Sequence, residues 1–403
     1  APSGRPARTV SPMTFPSPRW LASVPGLAAL FCALLCALVF AAPPAQAQNA
    51  PQTVTDLAGR TVTLPAKVER ILLGEGRLLP ALGVFERDDV TRRLVGMMGD
   101  YETLDAAGYA QWRGRFPQLD KVPRVGRNNA GSFSDEQAIA LRPQVAILGL
   151  AGGHGPSKND RETLARLEAA GVAVVFVDFR HDPLKNTPRS MELLGAVLGK
   201  RQEAEAFNTF WRAQLERVAS RLRTLPAGTR HPSVFLENRV GLADDCCATM
   251  VGLVGVLLDA AGADNVARGR IPGEHGTLNP EFLIATQPRL YIGTGIGSMA
   301  TADKSPLRVV LGADATPEAA RASLVRATQR RGVAQLQAVQ QPGRAHAIWH
   351  HYYNSPFNVV AVQVFAKWLH PELFADLDPR ATLQTMFTQF QPIPLTGVYW
   401  TSL

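Results

Sequence analysis

The sequence predicts an α/β protein made of two mostly parallel-sheet lobes joined by a long connecting helix. Short apolar runs of strand length alternate with amphipathic runs of helix length along most of the chain. This alternation is typical of parallel sheets covered by helices on both faces. In addition, one helix-to-strand segment at residues 134–148 recurs at residues 279–292. Two copies a domain's length apart indicate two similar lobes with a cleft between them.

The repeated segment keeps its residues in register. Each copy has a capping residue, a Glu near the predicted helix start, a proline break and then an apolar strand. The matching pairs are Glu136 with Glu281, Ala140 with Ala285, Pro143 with Pro288 and Ile147 with Ile292. We therefore predict a helix followed by a strand at the same place in each lobe.

The first lobe is predicted over residues 53–186. It opens with a hairpin at 53–64 that turns at Ala58-Gly59, a β-turn pair between two β-branched runs. Helices are predicted from the apolar spacing at 78–84, 134–141 and 158–170. Strands are predicted at 70–73, 94–97, 145–148 and 172–177.

The connector is predicted over residues 187–226. Apolar residues recur there at helical spacing from Pro188, which we place at the helix start, to a stop at 226–228. Gly199 interrupts the pattern, so two alternatives remain: one helix of about 35 residues, or two helices separated near Gly199.

The second lobe is predicted over residues 230–403. Strands are predicted at 233–236, 290–292 and 347–349. Helices are predicted at 252–261, 314–341, 358–369 and 379–390.

Residues 1–47 have the pattern of a secretory signal peptide. Arginines precede an uncharged apolar run at 21–42, and Ala45-Gln46-Ala47 follows as a small-x-small cleavage pattern. We expect cleavage after Ala47 and a periplasmic location. An uncleaved anchor is the alternative, because the apolar run approaches the ~20 residues that span a bilayer. Cys32 and Cys36 lie in this run without the small preceding residues of a lipid-attachment site.

The charge distribution excludes one class of partner. The formal net charge of +8 includes the arginines of the signal segment, and the remaining charge is spread along the chain. No block of Lys and Arg occurs of the kind that binds nucleic acid, so no nucleic-acid partner is predicted.

Two α/β lobes, a helical connector, a secretory signal and the repeated Glu-x6-Pro-x-(Val/Leu)-x-Ile element together resemble one family. The chain resembles the periplasmic substrate-binding proteins of ABC importers for ferric siderophores, haem and cobalamin, the class with a long-helix hinge. Residues 55–65, 70–72 and 81–83 also resemble the start of that family. The resemblance covers roughly residues 53–390.

The resemblance implies that Glu136 and Glu281 dock onto arginines of the membrane permease, one from each lobe. A carboxylate near a helix N-terminus is favoured by the helix dipole, and complementary charges mainly fix register and speed the encounter. The alternative is that each Glu only completes a capping box.

Ligand-binding residues are expected beyond the C-terminal ends of the parallel strands, where α/β lobes bind ligands. Arginines suit an anionic ligand, and His and Tyr can ligate iron or hydrogen-bond a chelate. The alternatives are surface ion pairs for the arginines and packing for the His and Tyr residues. Glycine-rich runs at 149–155 and 293–298 indicate close ligand approach or tight turns, and neither has a phosphate-loop spacing. The predicted set is Arg77, Tyr101, His154, Arg180, Arg239, His350, His351, Tyr352 and Tyr353.

Cys246 and Cys247 are adjacent. Because free thiols seldom persist in an oxidising compartment, we predict a vicinal disulfide in a loop near the cleft. A metal-binding pair is the alternative, but no second Cys pair or matching His spacing supports a zinc site, and no metal is assigned.

We therefore expect a non-catalytic receptor that needs no cofactor and delivers its ligand to an inner-membrane ABC permease. A ferric siderophore is the first candidate ligand, and haem and then cobalamin follow. A periplasmic enzyme on a similar two-lobed scaffold, a hydrolase or a metal-dependent protein, is the alternative. The sequence holds neither a Gly-x-Ser-x-Gly elbow nor a His-Glu-x-x-His element. A docking or sensor module without a small ligand is the third class.

Overall fold

The fold is carried by two separate β-sheets. The computed structural model describes residues 52–151, 153–243 and 246–403. The predicted signal peptide, with Cys32 and Cys36, lies outside the described residues. Among the residues that are described, no helix combines the length and the apolar character needed to cross a membrane.

The first sheet has four parallel strands in the order β4-β3-β5-β6. A separate antiparallel hairpin, β1-β2, precedes it, and Gly59 takes a positive φ of 79° at its turn. Both features confirm the predictions for this part of the chain. The strands are β1 Gln52–Thr55, β2 Thr61–Leu64, β3 Ile71–Leu73, β4 Leu94–Met97, β5 Val145–Gly149 and β6 Ala173–Val177.

Two helices of the first lobe begin at side-chain caps. Ser134 accepts a hydrogen bond from the backbone N–H of Gln137, and Asp105 accepts one from that of Gly108. Gly108 and Gly114 weaken the helical pattern of the segment that follows Asp105, and this helix was not predicted. The helices are α1 Leu79–Gly83, α2 Asp100–Leu104, α3 Ala106–Arg115, α4 Asp135–Ala140 and α5 Arg161–Ala169.

The connector is helical, but it folds back on itself. Helices α6 Pro183–Leu198 and α7 Arg201–Leu222 are separated at Gly199, which has a left-handed φ of 69°. The two helices pack antiparallel, since the Asn208 Nδ2 donates to the carbonyl oxygen of Pro188 at 2.9 Å. The alternative of a single helix is therefore wrong, and so is the placement of Pro188 at the helix start. Pro183 occupies the first turn instead, where a missing N–H costs least.

The second sheet is mixed. Its order is β10-β8-β7-β11-β12-β13, and β9 pairs with β7. Strands β7, β9, β11 and β12 run parallel, whereas β8, β10 and β13 are antiparallel additions. The strands are β7 Ser233–Glu237, β8 Ala248–Met250, β9 Asp264–Asn265, β10 His275–Thr277, β11 Leu290–Gly295, β12 Ala345–Trp349 and β13 Trp400–Ser402.

One long helix predicted in the second lobe is wrong. Residues 314–341 form two helices separated by a turn in which Gly332 has a positive φ of 85°. A helix cannot continue through that backbone conformation. The helices of this lobe are α8 Val254–Ala260, α9 Pro280–Thr286, α10 Pro317–Thr328, α11 Gln337–Gln340, α12 Asn358–Leu369 and α13 Pro379–Phe390.

The sequence repeat is a structural repeat. Helix α4 leads into β5, which pairs in parallel with β3 and β6. Helix α9 leads into β11, which pairs in parallel with β7 and β12. The two copies thus occupy the same place in their sheets, beside the first strand of each lobe, where the strand order reverses and ligands bind.

The two lobes share one apolar core. A single cluster of buried residues includes Ile147 of the first sheet, Trp211 of the connector and Ile292 of the second sheet. The described residues, from Gln52 onwards, accordingly form one compact unit. The predicted division at 186 and 230 stays a prediction. A core that crosses the lobes favours a small hinge motion.

Candidate functional site: a cleft between the lobes

Two adjoining cavities, of about 310 and 360 Å³, lie between the lobes. Both are lined by His154, Arg239, His350 and Tyr353, so they form one cleft. These residues follow the C-terminal ends of β5, β7 and β12. The cleft therefore lies where the strand order of both sheets predicts a ligand site.

A buried carboxylate links the lobes behind the cleft. Glu75 directly follows β3 and is 2% exposed. Its Oε2 accepts hydrogen bonds from the Arg180 Nη2 at 2.8 Å and from the Asn354 Nδ2 of the second lobe at 3.0 Å. Burial opposes ionisation, but the charges of Arg180 and Arg77 outweigh it and hold the pKa of Glu75 below its ordinary value.

Arg77 is the centre of a second set of contacts between the lobes. Its Nε lies 3.2 Å from the Asp100 Oδ2, and its Nη1 donates to the Tyr353 hydroxyl at 3.0 Å. The Nη1 also lies 3.1 Å from the His351 Nδ1. Burial raises the pKa of Asp100 to about 6 despite the charge of Arg77. Arg77 is 5% exposed, and its Nη2 has no hydrogen-bond partner among the described residues.

The contacts of His351 fix its tautomer. Its Nε2 lies 3.0 Å from the carbonyl oxygen of Leu104, an acceptor, so the Nε2 must carry the proton. The Nδ1 then accepts from Arg77. Burial and the nearby Arg77 charge lower the pKa of His351 well below its ordinary value, which keeps the ring neutral. Both nitrogens of His351 are thus engaged within the protein.

His154 and His350 each leave one ring nitrogen open to the cleft. The His154 Nδ1 donates to the carbonyl oxygen of Asn128 at 2.8 Å, and the His350 Nδ1 lies 3.1 Å from the Thr294 Oγ1. The Nε2 atoms of both rings have no hydrogen-bond partner in the part of the chain that is described. Burial, and next the Arg77 charge, lower the pKa of His154 to about 4. Burial also lowers the pKa of His350 well below its ordinary value, so both rings are neutral at pH 7.

The second lobe supplies two arginines that have no carboxylate partner in the described part of the chain. The side chains of Arg239 and Arg308 line the cleft, and neither forms an ion pair within the described residues. Arg239 has a left-handed φ of 50°, and its N–H donates to the Thr294 Oγ1 at 2.7 Å. Such a conformation in a non-glycine residue costs of order 1–3 kcal/mol and clusters at ligand sites.

Arg308 was missed by sequence reasoning. It reaches the cavity because residues 308–311 pair back onto the end of β11, where the Gly297 N–H donates to the Val309 carbonyl at 2.9 Å. This contact joins two loop segments, and no local pattern signals it. Asp105 and Trp349 also line the cavity and were outside the predicted set.

Tyr101 and Tyr352 lie behind the cleft, not in it. They line an enclosed cavity of about 30 Å³, together with Tyr399. Asp105 and Trp349 line both this cavity and the cleft cavity of about 310 Å³, so they separate the two. Burial raises the pKa values of both tyrosines well above their ordinary range. Successive residues of the 3-10 turn His350–Asn354 point in different directions, which places Tyr353 in the cleft and Tyr352 behind it.

The glycine-rich runs are explained by packing within the protein. A side chain at Gly153 would collide with the Arg180 guanidinium, and one at Gly155 would collide with the Gly74 carbonyl. In the second run, Gly297 lies against the Val309 carbonyl. These contacts account for the glycines through close approach of chain segments to one another.

Glu136 and Glu281 occupy equivalent exposed positions. Each lies in the first turn of its helix, α4 or α9, and each side chain is free of ion pairs in the described chain. Each helix precedes a parallel strand of its sheet, β5 or β11. Neither Glu136 nor Glu281 lines the cleft cavities.

Cys246 and Cys247 directly precede β8, whose first residue, Ala248, accepts a hydrogen bond from the Asn238 N–H just after β7. Their sulfur atoms are in bonding contact, and Cys247 is fully buried. Gly332 packs against the Cys246 Sγ, where a side chain would not fit. Among the described residues, no group of three or more His, Cys, Asp or Glu side chains is arranged to hold a metal ion.

The disulfide itself remains a prediction that intact mass tests. For the chain from Gln48 onwards, we expect a mass about 2 Da below that of the dithiol, because disulfide formation removes two hydrogens. Reductant should restore the higher mass. A mass that does not change on reduction, with both thiols open to alkylation in the unfolded chain, would contradict the prediction.

The buried histidines predict acid sensitivity. Burial lowers the folded-state pKa of His346 to about 4, as it does for His154, and it lowers the pKa values of His350 and His351 well below their ordinary value. In the unfolded chain a His titrates near 6.5, so below that pH the unfolded state binds more protons and stability is lost down to about pH 4. The folded-state pKa values of Asp100 and Asp105, raised by burial to about 6, oppose this loss between about pH 6 and 4.

The histidines outnumber the two carboxyls, so a net loss of stability is expected. Urea denaturation should give a free energy of unfolding at least about 2 kcal/mol lower at pH 5 than at pH 7.5. His346 packs on Trp368 away from the cleft, and the His346→Gln variant should flatten part of this dependence. Equal stability at the two pH values would contradict the account.

Comparisons with known proteins agree with this architecture. The sequence profile of a family described as periplasmic binding protein matches residues 102–316, more than half of the chain. The chain is similar to the solved structure of the TroA-like periplasmic binding protein FepB from Veillonella parvula. The two share 26% identity with a TM-score of 0.77, and the match covers 88% of this chain and 100% of that one.

Two further solved structures share the fold at lower identity. The periplasmic protein MolA of Haemophilus influenzae, bound to molybdate, is 18% identical with a TM-score of 0.63, covering 86% of this chain and 99% of that one. The periplasmic haem-binding protein RhuT from Roseiflexus sp. RS-1 is 21% identical with a TM-score of 0.51, covering 76% of this chain and 99% of that one. No curated protein matches this chain.

Proposed function

This chain belongs to the periplasmic binding protein family, and from that premise we propose that it binds an iron chelate in the interlobe cleft. A ferric siderophore is the first candidate. The protein then delivers the chelate from the periplasm to the inner-membrane permease of an ABC importer. Family membership favours such a receptor, without a catalytic step, over the enzyme alternative.

The charge of the cleft carries the proposal. Four arginines line the two cavities against two carboxylates, Asp105 and Glu274. Guanidinium groups bind carboxylate and other oxyanion groups through paired N–H donors. An anionic chelate therefore complements this cleft better than a neutral or cationic solute. The four arginines are Arg77, Arg180, Arg239 and Arg308.

The size and lining of the cleft support a small organic ligand over a free ion. Each cavity falls within the roughly 300–1,000 Å³ of small-molecule sites. Trp349 and Tyr353 offer aromatic surface for a flat or aryl-bearing ligand.

Haem is the second candidate, and one observation favours it. His154 and His350 are neutral and keep their Nε2 atoms free in the cleft. Neutral imidazole is an axial ligand of haem iron. The arginines would then pair with the propionates.

The permease contact is proposed for Glu136 and Glu281. One exposed carboxylate on each lobe, at matched positions of a structural repeat, suits a partner with two equivalent basic sites.

Tryptophan fluorescence tests the proposal because Trp349 lines the cleft. The chain from Gln48 onwards is titrated with ferric hydroxamate, catecholate and carboxylate siderophores, haemin and cobalamin. We expect saturable quenching by an anionic chelate with a Kd below about 1 µM. No saturable change with any of the five would contradict the proposed function.

A further inference from the structure

We infer that the ligand of this cleft is an amphiphile, with an anionic group held by Arg239 and Arg308 and an apolar arm that lies on Leu242 and Met299. The inference rests on the proposed function, since it concerns the same cleft, and it specifies the chemical class of ligand.

Among the described residues, the arginines of the cleft that have no carboxylate partner belong to the second lobe. Arg77 and Arg180 of the first lobe contact the carboxylates of Asp100 and Glu75. Arg239 and Arg308 have no such partner in the described residues, and the Arg308 Nε is buried without an acceptor. A buried N–H without an acceptor is costly, so an oxyanion of the ligand is favoured at this position.

An apolar surface lies on the same side of the cleft. Leu242 lines the cleft cavity of about 310 Å³ and is 47% exposed. Met299 is 43% exposed and belongs to the short turn Met299–Thr301, whose Thr301 also lines the cavity. Ile296 and Leu311 continue the apolar lining inwards.

This exposure is concentrated at the cleft. Of the large hydrophobic side chains in the described residues, three are strongly exposed: Leu242, Met299 and Val325. Two of them belong to the segments that form the cleft mouth, whereas Val325 lies on α10. Exposed apolar side chains gathered at one site mark a binding surface, while scattered ones are ordinary.

The charged and apolar groups are contiguous, so a single molecule can contact both. Leu242 is three residues from Arg239 in the same loop. Between them Gly241, with a φ of 72°, packs directly on the backbone of Leu307 and Arg308. The loop that carries Leu242 therefore lies against the segment that carries Arg308.

The test uses 1-anilinonaphthalene-8-sulfonate, a sulfonate joined to aryl rings, as the probe. We expect saturable binding to the wild type, displaced by the chelate that binds best. The Leu242→Ala/Met299→Ala variant should weaken probe binding about tenfold or more, in line with the loss of several apolar contacts. The Arg239→Gln/Arg308→Gln variant should do the same. Val325→Ala, the matched exposed position outside the cleft, should leave the affinity within about twofold.

Two further probes, one carrying only the anionic group and one carrying only the aryl rings, separate the contribution of charge from that of apolar contact. Sulfate alone and the uncharged N-phenyl-1-naphthylamine should each bind at least tenfold more weakly than the sulfonate. The inference is overturned if the neutral probe binds as tightly as the sulfonate, or if Leu242→Ala/Met299→Ala leaves probe affinity unchanged. Reduced uptake with unchanged probe affinity would assign the two side chains to the permease contact and equally overturn it.

Failure of the inference differs from failure of the proposed function. If a chelate binds the wild type but the probe binds the variants as tightly as the wild type, only the assignment of an amphiphilic ligand is wrong. If the variants weaken probe binding as expected but no chelate binds the wild type, the proposed iron-chelate function is wrong, while the amphiphilic class of ligand is retained.

Discussion

The Arg77→Gln variant is expected to lose measurable chelate binding and about 3–5 kcal/mol of unfolding free energy, the usual effect of breaking a buried ion pair. The substitution leaves the Asp100 carboxylate, which is 0% exposed, without its cationic partner. It also removes the donor to His351 and Tyr353, which holds the second-lobe turn in place. Urea denaturation followed by tryptophan fluorescence measures the loss of unfolding free energy, and titration with the chelates measures the loss of binding.

Arg239→Gln is the matched control. Arg239 lines the same cleft, but it is exposed and has no ion pair among the described residues. We expect its unfolding free energy to stay within about 0.5 kcal/mol of the wild type while chelate affinity falls. If Arg77→Gln unfolds at the same urea concentration as Arg239→Gln, the interlobe contacts of Arg77 do not have the role assigned to them.

The Glu136→Ala/Glu281→Ala variant should abolish iron uptake and leave ligand affinity unchanged. Both carboxylates are exposed and lie outside the cleft, so their loss removes charge only from the surface proposed to meet the permease. Uptake of the radiolabelled chelate is measured in cells that express the variant as their only binding protein for it. Chelate titration of the purified variant should give a Kd within about twofold of the wild type.

Each single variant should retain part of the uptake, because one lobe still docks. The control is Glu318→Ala/Glu372→Ala, which removes two other exposed carboxylates that form no ion pair within the described chain. Normal transport by Glu136→Ala/Glu281→Ala, or an equal loss in the control, would contradict the docking assignment.

The repeat could be predicted from the sequence because its signals are local. The cap at Ser134, the proline break at Pro143 and the apolar strand that follows are all defined by neighbouring residues. The same local rules failed in the connector. Gly199 ends one helix in a left-handed conformation and the chain then reverses, and tertiary contacts such as Gly195 against Ala204 and Asn208 with Pro188 show that direction. Strands as short as β9 carry no periodicity from which to predict them.

The sequence predicted those site residues that directly follow strand ends. It did not predict the residue that reaches the site through contact between segments distant in the chain. Arg77 and Arg239 follow β3 and β7, so the topology alone places them in the cleft. Arg308 arrives through pairing of its loop with Gly297, just after β11, which no local pattern signals. Tyr352, in contrast, was predicted in the cleft but lies behind it. A sequence places it beside Tyr353 but does not decide which of the two faces the cleft, and that is set by the turn geometry.

Titration of the wild type and of an Arg239→Ala/Arg308→Ala variant with each chelate, in one buffer, tests the central claim most directly. The account predicts that one anionic chelate binds the wild type saturably and that the variant binds it at least about tenfold more weakly, with unchanged stability. Binding that is indifferent to the loss of both arginines, or tighter binding of a cationic solute than of any anionic chelate, would contradict it.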